Sequence, residues 1–143
     1  MRTRIRTGSH EALLVADGDR LRGVRDGEPV DLPFGTEVHL DYASPAYNAV
    51  TCMRLDATAE IEVVFLRAVT CEPTIERQRY ELLGNEEVAT PAGRFVARRW
   101  RYTALSSGWS RDLWVAGVVV VAYEGTFALE GYEPGQTGAR PLL

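Results

Sequence analysis

The stretch Thr90–Tyr102, TPAGRFVARRWRY, contains a turn followed by an extended segment. Pro91 presets a turn and Gly93 can adopt a positive φ, so the segments on either side are expected to pair as a hairpin. Four of the nine residues in Arg94–Tyr102 are arginine. Because alternate side chains of a strand point to opposite faces, this charge must be divided between two faces.

Both faces of this predicted strand are mixed in character. One face carries Phe95, Ala97, Arg99 and Arg101, and the other carries Arg94, Val96, Arg98, Trp100 and Tyr102. A sheet with one solvated face alternates cleanly between apolar and polar residues. Two mixed faces instead predict a curved sheet or an incomplete barrel whose concave side is partly wet.

Turn signals recur at short intervals along the chain, among them Asp17-Gly18, Gly84-Asn85 and Ala116-Gly117. Between them lie short segments rich in Val, Leu, Phe, Tyr and Trp, a pattern typical of an antiparallel meander. The pattern predicts nine strands: Ala12–Ala16, Leu21–Arg25, Glu37–Tyr42, Glu60–Val69, Thr74–Leu83, Arg94–Thr103, Ser110–Val115, Val118–Tyr123 and Thr126–Tyr132.

One segment favours a helix. Ser44 is a good N-cap and Pro45 suits the first helical position, while Tyr47, Val50 and Met53 follow at helical spacing. The predicted fold is therefore all-β or nearly so: a curved antiparallel sheet or incomplete barrel around a cavity, with one short helix near residues 44–54. We expect a single β domain over residues 1–133 and a loosely ordered tail at residues 134–143, where glycines and prolines show no alternation.

Composition limits the classes of partner. The chain has 143 residues, with 16 basic and 20 acidic side chains and a net charge of -4. This charge argues against a nucleic-acid partner. The N-terminus lacks an apolar core of signal-peptide length, and no apolar run approaches a membrane span. We therefore expect a cytoplasmic protein with no stable membrane insertion.

The reactive side chains offer little chemistry of their own. Every basic residue is arginine, which removes lysine-based catalysis from consideration. Cys52 and Cys71 match neither a zinc knuckle nor a redox pair, so we expect two buried, reduced thiols. No cofactor or metal site is predicted.

The strand Arg94–Thr103 supplies the candidate ligand-binding residues. Arg98 lies between Val96 and Trp100 on one face, where a guanidinium beside an indole inside a cavity would anchor an anion or carboxylate. The set of candidates is Arg98, Trp100, Tyr102, Trp109 and Trp114. The alternative is that the arginines are solvated and pair with Glu76, Glu81 or Glu87, and that the aromatic residues are core.

Catalysis has weaker candidates. His39 and Asp41 share one face of a predicted strand, where a base and an orienting carboxylate could stand together. A half-solvated strand face gives the same pattern. A metal site that uses these two residues with a cysteine lacks the spacing of established motifs.

The run LLGNEEVATPAGRFVARRWRY, followed by LWVA and VVVVAYEGTFALEGYE, resembles a family of bacterial domains of unknown function. Members read Gly-x-Glu-x-Val-x-Thr-Pro-Ala-Gly-x-Phe, then a strand, a Trp and an apolar strand. The matching positions in the second half of the chain are Gly84, Glu87, Val88, Thr90, Pro91, Ala92, Gly93, Phe95 and Trp114. The resemblance implies a curved antiparallel sheet similar to lipoprotein carriers of the LolA type, able to hold an acyl chain.

We therefore expect the protein to bind a small apolar or amphipathic molecule, lipid-like or acyl, in the concave face of its sheet. One alternative is a cofactor-free cyclase or isomerase that acts on a hydrophobic metabolite in the same cavity. Another is an interaction module that forms a homodimer through an exposed sheet edge without a ligand.

Overall fold

The structure is a computed structural model in which residues 1–133 are described. These residues form eleven strands and one α-helix. The strands of the first half are β1 (Arg2–Thr7), β2 (His10–Asp17), β3 (Arg20–Arg25), β4 (Glu28–Pro33) and β5 (Val38–Tyr42). Helix α1 (Pro45–Arg54) follows, and then β6 (Ala59–Leu66), β7 (Pro73–Thr90), β8 (Gly93–Ala104), β9 (Ser110–Ala116), β10 (Val119–Tyr123) and β11 (Phe127–Ala128). The tail expected to be loosely ordered, residues 134–143, lies outside the described residues.

The strands form two open sheets. One has four strands in the order β1-β2-β3-β4, and the other has seven in the order β11-β10-β9-β8-β7-β6-β5. The mostly β fold with one short helix is confirmed. Neither sheet closes on itself, so the described strands form no closed β-barrel and agree with the predicted open, curved sheet.

One pair of strands departs from the antiparallel expectation. β5 and β6 are parallel, with Val38 opposite Glu62 and Tyr42 opposite Leu66. Helix α1 lies between them in sequence, and a parallel pair needs a crossover connection of this kind. The remaining ladders with a defined register are antiparallel.

Two strands escaped the sequence analysis because both lie at an edge. β1 alternates arginine with Thr and Ile, and β4 contains Pro29 and Pro33. Proline cannot donate to a ladder and is confined to edge strands, and charged residues are likewise tolerated there. An edge strand therefore carries a weaker sequence signal than a central one.

The long hairpin of β7 and β8 confirms the turn at Pro91 and Gly93, but β7 is longer than predicted. The expected turn at Gly84-Asn85 is instead a point within β7 where the register shifts between Leu82 and Gly84. Gly84 has a φ of 133°. Glycine adopts such a φ at little cost, so it marks a β-bulge here, and the predicted turn is wrong.

Helix α1 begins after Ser44 as predicted, but it buries a different face from the one expected. Its buried residues are Asn48, Ala49, Thr51 and Cys52. Val50 and Met53, whose helical spacing favoured an apolar buried face, are exposed. Small side chains allow the helix to approach the sheet closely, and Asn48 reaches a polar partner there, Tyr80 Oη. Hydrophobic spacing alone therefore indicated the wrong face. No helix within residues 1–133 is long and apolar enough to cross a membrane.

The described chain divides into two compact units, and the expectation of a single domain stays a prediction. The first comprises Met1–Ala43 and Ile61–Glu76, and the second comprises Ser44–Glu60 and the chain from Arg77 onward. The core of the first unit consists of Ile5, Ala12, Leu14, Leu21, Leu40, Ile61, Val63, Val64, Leu66 and Cys71. The core of the second includes Tyr80, Phe95, Ala97, Trp100, Tyr102, Leu113, Val115, Val120 and Val121.

Candidate functional site

Strand β8 changes its buried face along its length, which explains its mixed pattern. Near its start Phe95 and Ala97 are buried, and Leu129 and Tyr132 pack against their cluster. Past the middle, Trp100 and Tyr102 are buried instead, and these two point to the other face. The face that bears Trp100 is therefore covered along the second half of β8 and open along the first half.

A cleft of about 480 Å³ lies on that face within the second unit. Its lining residues are Cys52, Met53, Asn85, Val96, Ala97, Arg98, Trp100, Val115, Gly117 and Val118. Met53, Val96 and Val118 are 52%, 57% and 55% exposed. Large apolar side chains that remain exposed together around a concavity are typical of a binding surface.

The position of α1 explains why the cleft is there. At the start of the helix, Asn48 Nδ2 donates a hydrogen bond of 2.9 Å to Tyr80 Oη, which ties the helix to β7. At its end, Cys52 and Met53 reach the wall of the cleft. The helix ends at Arg54, one residue after Met53, and the cleft opens beside its last turn.

Arg98 occupies this opening. Its guanidinium lies over the Trp100 ring, 4.9 Å from the ring centroid. Its Nη2 donates a hydrogen bond of 3.1 Å to the carbonyl oxygen of Asp56, in the loop after α1. A guanidinium has five N–H donors, so these contacts leave capacity for a further acceptor. Among the described residues that line the cleft, Arg98 is the single charged side chain.

The floor of the cleft is formed by two buried side chains. Burial raises the pKa of the Cys52 thiol to about 12, although the nearby charge of Arg98 acts in the opposite direction. The thiol is therefore protonated at neutral pH and is a poor nucleophile. Both cysteines are free and buried, as predicted. Trp100 is fully buried, and its indole Nε1 has no hydrogen-bond partner among the described residues.

The opposite face of β8 carries the other arginines, which are paired. Arg99 Nη2 lies 2.6 Å from Asp112 Oδ2, and Arg101 Nε lies 2.8 Å from Asp112 Oδ1. The Asp112 side chain is only 3% exposed. Near the hairpin turn, Arg94 Nη1 pairs with Glu87 Oε1 at 2.6 Å. One of the two sequence interpretations paired the arginines with Glu76, Glu81 or Glu87. Arg94 has such a partner, whereas Arg99 and Arg101 pair with Asp112, which was not among the expected partners.

Opposing effects act on the pKa of Asp112. Burial raises it, but hydrogen bonds and charge from Arg101 and Arg99 outweigh burial and hold the pKa below its usual range. The pKa of each arginine is raised, chiefly by its hydrogen bond to Asp112. The carboxylate and both guanidinium groups therefore remain charged at neutral pH.

The aromatic candidates divide among several places. Tyr102 is buried and contacts Tyr80 edge to face. Trp109 is 44% exposed, with its ring near those of Tyr102 and Tyr123. Trp114 lies on the Arg99 face, where its Nε1 donates a hydrogen bond to Glu86. Of the five predicted ligand-binding residues, the structure brings Arg98 and Trp100 together at the cleft and places the other three elsewhere.

The catalytic candidates lie on β5 in the first unit. His39 and Asp41 are 4% and 6% exposed, so both are buried instead of lining a half-solvated face. Neither contributes to the wall of the cleft. Residues 1–133 contain no group of three or more His, Cys, Asp or Glu side chains arranged to hold a metal ion.

Sequence reasoning missed two polar groups. Asp112 is the acceptor that organises the arginines of one face, and it lies directly opposite Arg101 in the ladder. A residue-by-residue register of β8 and β9 could have found it. Tyr80 Oη also lies 3.4 Å from Gln78 Oε1, and both residues are buried with Asn48. No sequence signal indicated that α1 would be tied to β7 through amide and hydroxyl groups.

No family model matches the chain, and no curated protein matches it. The chain is similar to a crystal structure, at 1.80 Å resolution, of a DUF1089 family protein from Pseudomonas aeruginosa. The sequences are 28% identical and the TM-score is 0.60, with 83% of this chain covered. The match spans 61% of the length of that protein. This likeness agrees with the expected resemblance to a family of domains of unknown function.

Proposed function

We propose that the protein binds a small amphipathic anion in the cleft beside Arg98. The observation that carries the proposal is the charge of the lining: one guanidinium, over the Trp100 ring, among otherwise neutral described residues. The protein as a whole has a net charge of -4, so a positive cleft is a local feature. A charged group at an apolar concavity favours a ligand with an anionic head and an apolar body.

The cleft has an exposed apolar surface against which the apolar part of the ligand can pack. Met53, Val96 and Val118 present more than half of their area to solvent around the cleft. Covering apolar surface contributes roughly 25 cal/mol per Å², so a short acyl chain or a ring would gain from lying against these three residues. The cleft volume of about 480 Å³ is within the roughly 300–1,000 Å³ usual for small-molecule sites.

The sequence pattern of the second half of the chain resembles a family of domains of unknown function, and the expected likeness of that family to carriers of the LolA type is the reason for proposing a lipid-like or acyl ligand. The proposed motif contains the bulge at Gly84 and the turn at Pro91 and Gly93, which shape the long hairpin that carries Arg98. The motif would thus shape the wall of the cleft. A lipid-like or acyl ligand is part of our proposal.

The alternative functions stay predictions. A cyclase or isomerase would use the same cleft, but the Cys52 thiol has a pKa raised to about 12 and gives no specific support for acid–base chemistry. A homodimer through a sheet edge has no observation in its favour. We therefore argue the binding function alone.

The test uses 1-anilinonaphthalene-8-sulfonate, a fluorescent amphipathic anion, titrated into the folded protein. We expect saturable binding that weakens by about 10- to 100-fold in Arg98→Met, because a charge-assisted hydrogen bond contributes roughly 1.5–3 kcal/mol. Methionine keeps much of the stem and removes the charge.

Arg101→Met is the matched control, since Arg101 lies on the same strand but on the opposite face, paired with Asp112. The control should bind the probe as the unmodified protein does. Equal weakening in both variants, or no saturable binding by a folded protein, would remove the proposed function. Circular dichroism of each variant establishes that it is folded.

A further inference from the structure

The indole N–H of Trp100 is a polar group that the fold leaves without a partner. Trp100 is fully buried, and its Nε1 is the single buried side-chain nitrogen or oxygen of residues 1–133 that lacks a hydrogen bond. A buried donor without an acceptor is costly because it has lost water and gained nothing in return. Such groups are rare and call for a physical explanation.

The position of Trp100 suggests which acceptor is missing. Trp100 forms part of the cleft wall, and the guanidinium of Arg98 lies 4.9 Å from its ring centroid. The cationic donor of Arg98 therefore lies over the same ring that carries the neutral N–H donor. No Asp or Glu is among the described residues that line the cleft, so residues 1–133 supply no carboxylate side chain to its lining.

We infer that the ligand head group is a carboxylate that accepts hydrogen bonds from both the Arg98 guanidinium and Trp100 Nε1. This inference rests on the proposed function and adds the chemical class of the head group. Two carboxylate oxygens can serve two donors at once, with one oxygen toward each. Ligand binding would thereby satisfy the donor that the unliganded fold leaves unpaired.

Access to Trp100 requires Arg98 to move. The guanidinium covers the indole ring, and its hydrogen bond to the Asp56 carbonyl is 3.1 Å long. A carboxylate offers a charged acceptor in place of a neutral carbonyl, and charge-assisted hydrogen bonds are the stronger kind. The arriving head group can therefore draw the guanidinium from the ring face, and it would meet the indole N–H at the ring edge, because that bond lies in the ring plane.

Other head groups match the two donors less well. An ammonium group has no acceptor and would face the charge of Arg98. An alcohol can accept a hydrogen bond but lacks the charge. A phosphate monoester carries about two negative charges, and a single guanidinium would leave part of that charge uncompensated in the cleft. A single carboxylate matches one cationic donor and one neutral donor.

The first experiment observes the indole N–H directly. The protein contains three tryptophans, so a ¹⁵N-labelled sample gives three indole signals, assigned with Trp109→Phe and Trp114→Phe. Titration with octanoate should shift the Trp100 signal downfield, as a new hydrogen bond to an anion requires. Titration with 1-octanol should leave that signal close to its starting position. A Trp100 signal that stays unchanged at saturating octanoate overturns the inference.

The second experiment measures head-group selectivity by displacement of 1-anilinonaphthalene-8-sulfonate. Octanoate should displace the probe at concentrations at least about tenfold lower than 1-octanol or octylamine, since loss of one charge-assisted bond costs about that factor. Octyl phosphate should also displace the probe less well than octanoate, because part of its charge would stay uncompensated in the cleft. Trp100→Phe removes the N–H and keeps an aromatic ring. It should weaken octanoate about tenfold more than it weakens 1-octanol.

Trp114→Phe is the matched control, because Trp114 lies on the opposite face with Glu86 as its acceptor. It should preserve the preference for octanoate. Equal displacement by octanoate and 1-octanol, or preference for octyl phosphate, overturns the carboxylate assignment while probe binding still supports the proposed function. Should Trp100→Phe fail to fold, the indole signal of the unmodified protein decides the matter.

Discussion

Arg98 and Arg99 are neighbours in sequence, yet they lie on opposite faces of β8 and have different surroundings. Arg99 shares the buried carboxylate of Asp112 with Arg101. Arg98 has an aromatic ring and a backbone carbonyl as partners. One face of the strand is therefore electrostatically complete within the chain, and the other retains a cation beside an open cleft.

The difference comes from the facing strands. β9 places Asp112 opposite Arg101, but it places Val115 opposite Arg98. On the other side, the bulge in β7 puts Asn85 opposite Arg98. Both cross-strand neighbours of Arg98 are thus neutral. Identical residue types one position apart can form buried ion pairs or remain beside an open cleft, depending on the side chains that the register places beside them.

The largest expected loss of stability comes from removing the Asp112 carboxylate. Asp112→Ala should lower the free energy of unfolding by about 2–3 kcal/mol, because two guanidinium groups lose their acceptor and a buried position is left with a void. The comparison is with Arg94→Met, which breaks the exposed pair with Glu87. That variant should change stability by about 0–1 kcal/mol. Urea unfolding measures both, and equal effects would contradict the special status of Asp112.

A smaller loss of unfolding free energy is expected at low pH. Because the folded-state pKa of Asp112 lies below its unfolded value of about 4, its stabilisation is complete above that pH. The stabilisation is then lost as pH falls from about 4 through the folded-state pKa. The difference in unfolding free energy between the unmodified protein and Asp112→Asn should narrow over this interval. A constant difference between pH 7 and pH 2 would show that the charge of Asp112 does not stabilise the fold.

The smallest effect on stability is expected at the cleft. Arg98→Met should change the free energy of unfolding by less than about 1 kcal/mol, since it removes one hydrogen bond to a carbonyl and a partly exposed contact with Trp100. Thermal unfolding of this variant beside Arg94→Met measures the change. A loss as large as that of Asp112→Ala would mean that Arg98 is structural, and the contrast between the two faces would disappear.

The sequence predicted local features well. The Pro91 and Gly93 turn, the start of α1 at Ser44 and the position of Arg98 beside Trp100 all follow from rules that involve only a few adjacent residues. Edge strands and the bulge at Gly84 were missed because their signals depend on what lies beside them. A glycine followed by asparagine favours a turn in isolation, and only a long partner strand makes it a bulge.

The sequence by itself determined that β8 has two mixed faces, that Arg98 shares a face with Trp100, and that Arg99 shares the other with Arg101. This followed because strand periodicity is a property of the backbone. Tertiary structure alone decided that Asp112 joins Arg99 to Arg101 and that the last turn of α1 lines the same cleft as Arg98. Those outcomes depend on which distant segments pack on each face, and burial and pairing are set by contacts between residues far apart in sequence.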